Sequence, residues 1–314
     1  MKLVYILGTS FSGSTLLSFL LDDIPNVVSV GEAEGNPSIF NLSESTMCSC
    51  GNTIGACPFW VSVYQKMSSY GIDFNPDNWN MQFSVPTSHM LKRLLFLPLH
   101  NWFLDSIRDS IVFKTKTYGD RFREIGQRNL RLMQTVTELR NASVFVDASK
   151  DPRRPVFLLR YCGIEAYIIH LVRDSLAYVT SARKHESADI SQACRRWNLS
   201  MNHAHRLKSH WPQKRWLTVK YEELSLKPKV TLSQICSYIG LDNVEINPQL
   251  KKDARHHILG NPMRLEANEQ IKLDVTWRSA LKENEILIIK EKTKKWRSVY
   301  NFDSFYDGIL PNTN

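Results

Sequence analysis

Gly8, Ser10, Phe11, Ser12, Gly13, Ser14 and Thr15 form a small-residue loop between the apolar run 3–7 and a helix-like pattern that follows. The run has the make-up of a buried strand. A turn of this kind ahead of a helix points backbone N–H groups at whatever sits over the helix N-terminus, which suits a phosphate. The spacing of Gly8, Gly13, Ser14 and Thr15 outlines a Walker A loop, yet Ser14 stands where that motif needs its lysine. A loop that keeps the cradle without the lysine suits a phosphate other than a nucleoside triphosphate's.

The six cysteines fall into two groups. Cys162, Cys194 and Cys236 occupy core positions of helical patterns, where a free thiol is a packing residue. Cys48, Cys50 and Cys57 lie together in a single short stretch. Three readings are open for them: loop packing with reduced thiols, a disulfide, or a metal. A structural zinc would need a fourth ligand at a typical spacing, and neither His nor Cys supplies one nearby in the sequence. Loop packing is therefore the expectation, with no metal assigned.

Alternating strand and helix patterns must hold these groups. Strands are expected at 3–7, 27–30, 144–147, 166–172 and 215–221. Helices are expected at 14–21, 152–162, 190–209 and 229–239, with one beginning at Asp174 and one over 279–299. Asp174 or Ser175 has the chemistry of an N-cap, and Gly240 that of a helix stop. This alternation predicts an α/β fold with a P-loop-like central parallel sheet flanked by helices. Residues 36–140 break the rhythm with helical stretches at 59–70, 89–104 and 121–140, and read as an inserted helical lobe within a single domain spanning 1–314. The Gly/Pro-punctuated stretch 256–264 reads as a long loop over the sheet edge. Ligands of such sheets bind beyond the C-terminal ends of the strands.

Forty Lys+Arg against thirty-one Asp+Glu give a net charge of +9, which suits an anionic ligand. No dense basic run interleaved with aromatics supports nucleic acid as a partner. No apolar run reaches the roughly 20 residues of a membrane helix, and the run 3–7 is too short for a signal-peptide core. A cytoplasmic protein without a membrane partner is the expectation.

Three segments carry a family likeness: 8–17, 171–183 (Leu171-Val-Arg-Asp-Ser-Leu-Ala-Tyr-Val-Thr-Ser-Ala-Arg183) and 218–224 (Thr218-Val-Lys-Tyr-Glu-Glu-Leu224). Together they resemble the sulfotransferases that use 3′-phosphoadenosine 5′-phosphosulfate (PAPS), nearest the bacterial relatives of the tyrosylprotein and carbohydrate type. Gly31-Glu32, the cysteine-rich insertion, Asp147-Ala-Ser-Lys-Asp151 and Gly260-Asn-Pro-Met-Arg264 add to the resemblance in the same order along the chain. The likeness spans 2–50 and 140–280.

What the resemblance implies is specific. Ser10 to Thr15, Phe11 included, would hold the 5′-phosphosulfate, and Arg173 with Ser181 the 3′-phosphate, with Arg183 helping from the same helix. Glu32 would take the acceptor's proton, with Glu34 as substitute, and Lys150 would meet the charge on the leaving oxygen. Tyr221 would line the nucleotide pocket, and Gly260, Asn261 and Arg264 the lid over the adenosine. No metal is required. Relatives usually carry a basic residue where this chain has Phe11, so Lys150 and the helix dipole, or Arg264 or Arg153, would have to supply the missing charge. His170 reads as core, and His256 and His257 as lid-loop residues near the site.

The activity implied is transfer of a sulfuryl group to a hydroxyl or amine. Phe59, Trp60, Trp79, Trp102 and Phe103 in the insertion suggest a small-molecule acceptor of secondary metabolism, such as a bacterial natural product or a saxitoxin-type alkaloid. A carbohydrate, lipid or peptide tyrosine stays open. Two alternatives belong to other classes. A P-loop kinase or nucleotide hydrolase would need the lysine that Ser14 replaces. A catalytically weak protein that binds the bisphosphate product PAP is suggested by Phe11.

Overall fold

The computed structural model describes residues 1–35, 42–84, 107, 114–242, 244–248, 255–265 and 270–306. The chain runs β1 (Lys2–Gly8), α1 (Ser14–Asp22), β2 (Val27–Ser29), α2 (Pro58–Ser69), α3 (Lys116–Leu139), β3 (Val144–Lys150), α4 (Arg154–Cys162) and β4 (Tyr167–Val172). It continues through α5 (Ser175–Glu186), α6 (Ile190–Lys208), β5 (Trp216–Lys220), α7 (Tyr221–Leu226) and α8 (Pro228–Tyr238), and then α9 (Trp277–Ala280), α10 (Glu283–Val299) and α11 (Phe302–Phe305). The five strands form a parallel sheet in the order β2-β3-β1-β4-β5. The α/β, P-loop-like parallel sheet expected from the sequence is the fold observed.

Strand β1 is apolar throughout because it is covered on both faces. Leu3, Tyr5 and Leu7 enter one core with Trp60, Met67, Phe122 and Val136 from α2 and α3. Val4 and Ile6 enter the other with Leu16, Leu17, Leu20 and Leu21 of α1 and with Leu232 and Ile235 of α8. Helices α2 and α3, between β2 and β3, therefore cover one face of the sheet. A third cluster packs α5, α6 and α10 together through Trp197, Met201, Ile289 and Trp296. The stretch 89–104 lies outside the described residues.

Several boundaries differ from the sequence reading. Tyr221 opens α7 rather than ending β5, because Glu222 and Glu223 favour a helix first turn. The C-terminal helical pattern divides into α9 and α10, the latter starting after Lys282 with a capping box closed by Glu285. Asp174 is the N-cap of α5, its carboxylate accepting from the Leu176 N–H at 2.8 Å.

Around β3, Arg154 donates to Asp147 at 2.7 Å, to Asn129 of α3 at 2.7 Å and to the Met81 carbonyl at 3.1 Å. Arg154 and Asp147 are both fully buried, so each supplies the charge the other needs out of water. This network ties the end of β3 to the helices covering that face.

Candidate active site

The loop after β1 is shaped by close approaches. A Cβ at Gly8 would come within 2.8 Å of the Ser12 hydroxyl and 2.9 Å of the Leu171 carbonyl. Gly13, at φ +88°, has the Tyr221 ring 2.5 Å from where its Cβ would stand, so only glycine fits there. The helix N-terminus that follows has no side-chain cap and no acid in its first turn, which leaves its N–H groups and partial positive charge for an anion. Within this loop the Ser12 hydroxyl is buried and has no hydrogen-bond partner among the described residues. An uncapped N-terminus beside an unpartnered hydroxyl fits a phosphate or sulfate group.

Phe11 adopts the left-handed region at φ 59° and stacks its ring on His185 of α5, with centroids 5.4 Å apart. Its side chain faces away from the cradle, and its carbonyl accepts a 2.6 Å hydrogen bond from Arg173. Arg173 follows β4 directly, 6 % exposed, and lies 4.6 Å over the Tyr221 ring. It also reaches the Ser181 hydroxyl at 3.4 Å and pairs with the Asp274 carboxylate at 2.5 Å, while its Nε has no hydrogen-bond partner among the described residues. The structure thus brings Ser12, Gly13, Arg173, Ser181 and Tyr221 into one group. An ion pair between Arg173 and its neighbour Asp174 does not form, since Asp174 is held by buried Arg297. Arg183 points elsewhere and pairs with Glu285 at 2.9 Å.

The loop 255–265 lies against the same helix N-terminus. The Asn261 N–H donates to the Thr15 hydroxyl at 3.1 Å. A Cβ added at Gly260, at φ +95°, would stand 2.9 Å from Thr15 Oγ1 and 3.5 Å from Glu32 Oε1. Arg264 is buried and donates to the Met47 carbonyl at 2.6 Å. Arg153 pairs with Asp151 at 2.8 Å.

Glu32 and Lys150 meet as an ion pair with 20 % and 18 % of their side chains exposed. Lys150 sits at φ 70°, where the β1–β3 register shifts between Tyr5 and Leu7. Such a bulge re-aims a side chain at a strand end. The pair opens onto a cavity of about 440 Å³ lined by Gly8, Ser10, Glu34, Gln82, Phe83, Ser149, Arg153 and Phe157 among others. Burial raises the Glu34 carboxyl to about 8, against the pull of Arg154. A carboxyl raised in this way can hold and release a proton near neutral pH.

The aromatics expected around an acceptor are divided. Trp60 and Trp79 are core residues at 0 % and 5 % exposure, and Phe59 stacks on His256. Phe83 and Phe157, which sequence patterning did not single out, line the cavity instead. Trp102 and Phe103 lie outside the described residues. His170 is a core residue of β4 with its pKa lowered to about 3 by burial. His257 does not approach the cavity; it is buried against Asp22 at 3.4 Å and Phe19. Asp274 was missed for want of any local signal, since it lies 101 residues from Arg173.

Comparison with known proteins bears on this site. The model of the sulfotransferase family matches residues 156–245, the segment that carries Arg173, Ser181 and Tyr221. Among solved structures, the sulfotransferase domain from the Synechococcus PCC 7002 olefin synthase is 18 % identical at a TM-score of 0.50, covering 93 % of this chain and 94 % of that one. A sulfotransferase domain from the curacin biosynthetic pathway is 15 % identical at a TM-score of 0.48, covering 94 % and 98 %. A sulfotransferase from Mycobacterium avium is 14 % identical at 0.45, covering 95 % and 76 %. No protein of curated description matches the sequence. No described helix is long and apolar enough to cross a membrane. The resemblance to the sulfotransferase family drawn from the motifs holds, in sequence over 156–245 and in fold along nearly the whole chain.

Proposed function

We propose that this protein moves a sulfuryl group from PAPS to a hydroxyl or amine of a small polar acceptor. One observation carries the reading: Arg173 and Ser181 stand directly beside the uncapped loop at the end of β1, so one crevice offers two anion sites, as a doubly phosphorylated nucleotide needs. Ser12, Ser14, Thr15 and the first-turn N–H groups would hold the 5′ end, and Arg173 with Ser181 the 3′-phosphate. Tyr221, Gly260 and Asn261 would form the walls. PAPS supplies an activated sulfuryl group when bound. Asp274 would yield its place on Arg173 to the phosphate.

Glu32 would take the acceptor's proton, which removes the charge that binds Lys150 to it. Lys150 then becomes available for the oxygen on which negative charge grows, so a proton gained by one partner frees the other for the second task. The size of the cavity supports a small acceptor. Its lining of ion pairs, Glu32 with Lys150 and Asp151 with Arg153, together with Glu34, suits a polar acceptor that carries hydroxyl or amine groups, of the natural-product or saxitoxin-like alkaloid class.

The test is transfer of labelled sulfate from PAPS to a panel of small metabolites, with thermal shift by PAP run beside it. Labelled product together with loss of the PAP shift in Arg173→Ala is the expected result. Absence of any shift in the unmodified protein overturns the reading. A PAP shift without transfer to any acceptor favours the binding-protein alternative, which Phe11, packed on His185 and offering no charge to the cradle, supports.

A further inference from the structure

The cysteine cluster gains in three dimensions the ligand it lacks in sequence. Cys48, Cys50 and Cys57 converge with His256, and one ligand atom from each lies within 4.8 Å of all the others. Cys50 Sγ is 3.6 Å from Cys57 Sγ, and His256 Nδ1 is 3.3 Å from Cys57 Sγ and 4.0 Å from Cys48 Sγ. Around a tetrahedral zinc with bonds of about 2.3 Å to sulfur and 2.0 Å to nitrogen, ligand atoms stand roughly 3.5–3.8 Å apart. The observed separations bracket that range. They are too long for a disulfide, and all the cysteines are free.

The surroundings hold each ligand in place. The His256 ring is stacked on Phe59 at 4.6 Å and 9° between planes, and its carbonyl accepts from the Trp60 indole at 3.1 Å. Ser49, between two of the cysteines, accepts from the His257 N–H at 2.9 Å and donates to the Arg255 carbonyl at 2.8 Å. The Asn52 amide donates to Cys50 Sγ at 3.6 Å, the kind of outer hydrogen bond that steadies a thiolate ligand.

We propose that Cys48, Cys50, Cys57 and His256 bind one structural zinc ion. Four protein ligands close the coordination sphere, so the ion has no open position for catalysis. It fastens the segment before α2 to a loop 199 residues further on. That loop carries Gly260 and Asn261, which rest on Thr15. The ion would thus set the height of the loop over the helix N-terminus. The inference stands apart from the sulfuryl-transfer reading, and its test does not use activity.

Protein purified under reducing, chelator-free conditions is expected to contain about one zinc per chain by elemental analysis. Replacement by Co(II) is expected to give thiolate charge-transfer absorption and the intense visible bands of a tetrahedral sulfur-rich site. Cys57→Ser should lose at least about nine-tenths of the metal, whereas Cys50→His, which keeps a ligand, and Cys162→Ser, outside the cluster, should retain it. Chelation by phenanthroline should lower Tm by roughly 5 °C or more, reversed by added zinc. Wild-type protein with free thiols and no metal, no tetrahedral cobalt spectrum, or a Cys50–Cys57 disulfide found after alkylation and mass analysis would each overturn the proposal. Because metal content and the cobalt spectrum are read on the wild-type protein, failure of a variant to fold leaves the proposal open to refutation.

Discussion

The two crevices flanking the end of β1 are built on opposite plans. Beside β4, Arg173 is enclosed: a carbonyl, a hydroxyl, a carboxylate and an aromatic face already surround its head. Beside β3, Glu32 and Lys150 satisfy each other at the mouth of an open cavity. A cation held beforehand by an internal carboxylate is oriented but partly neutralised, so a ligand must exchange anion for anion. A carboxylate and ammonium at a cavity wall are poised to part when the carboxylate gains a proton. The first arrangement suits recognition, and the second suits chemistry.

That contrast can be tested by separating turnover from affinity. With any acceptor identified in the transfer screen, Glu32→Gln is expected to lower kcat by about 10²–10⁴. PAP binding by calorimetry should change little. An unchanged rate would pass the role of base to Glu34. Lys150→Met should lower kcat by about 10²–10³, again with little change in PAP affinity. Equal losses of affinity and rate would mean that the two crevices act as one.

Asp274→Asn probes the enclosed crevice. Removing the internal competitor should tighten PAP binding by roughly three- to tenfold, because the free protein no longer holds Arg173 in a closed pair. Weaker binding would mean that Asp274 positions the arginine rather than competing for it.

The smallest effect lies behind the same crevice. Glu222 accepts from the Asp174 N–H at 2.9 Å and is pushed by burial up to about 7, from an ordinary value of 4.5. The folded state therefore keeps a proton through that window while the unfolded chain releases it. Its contribution to stability is complete below about 4.5 and declines as pH rises to about 7, with a slope approaching 1.4 kcal/mol per pH unit. Glu222→Gln should flatten this part of the pH–stability profile, measured by urea unfolding. An unaltered slope would place the titration in another group.

The strands and the loop after β1 were legible because their signals are local. Residues 3–7 alternate between two apolar cores and so are continuously hydrophobic. Gly13 and Ser14 mark a turn by type alone. Arg173 and Ser181 lie eight residues apart on one strand–helix junction, and their contact follows from helix geometry. The partners were not legible. Asp274 stands two residues before Thr276, whose hydroxyl donates to its carboxylate, so in sequence it reads as a turn acid. Phe83 and Phe157 belong to separate segments whose convergence on the cavity depends on how α4 packs against α3, through Phe122.

The cysteines divide along the same line. Amino-acid order was enough to set three thiols close together, since Cys57 lies only nine residues after Cys48, and to propose the sheet that frames the crevices. Whether those thiols have a fourth companion depended on the loop bearing His256 closing over α2, a contact across 199 residues. Short-range periodicity and turn chemistry act through neighbouring backbone and are written in the order of residues. Long-range closure depends on which apolar faces bury one another and emerges only once the chain has packed.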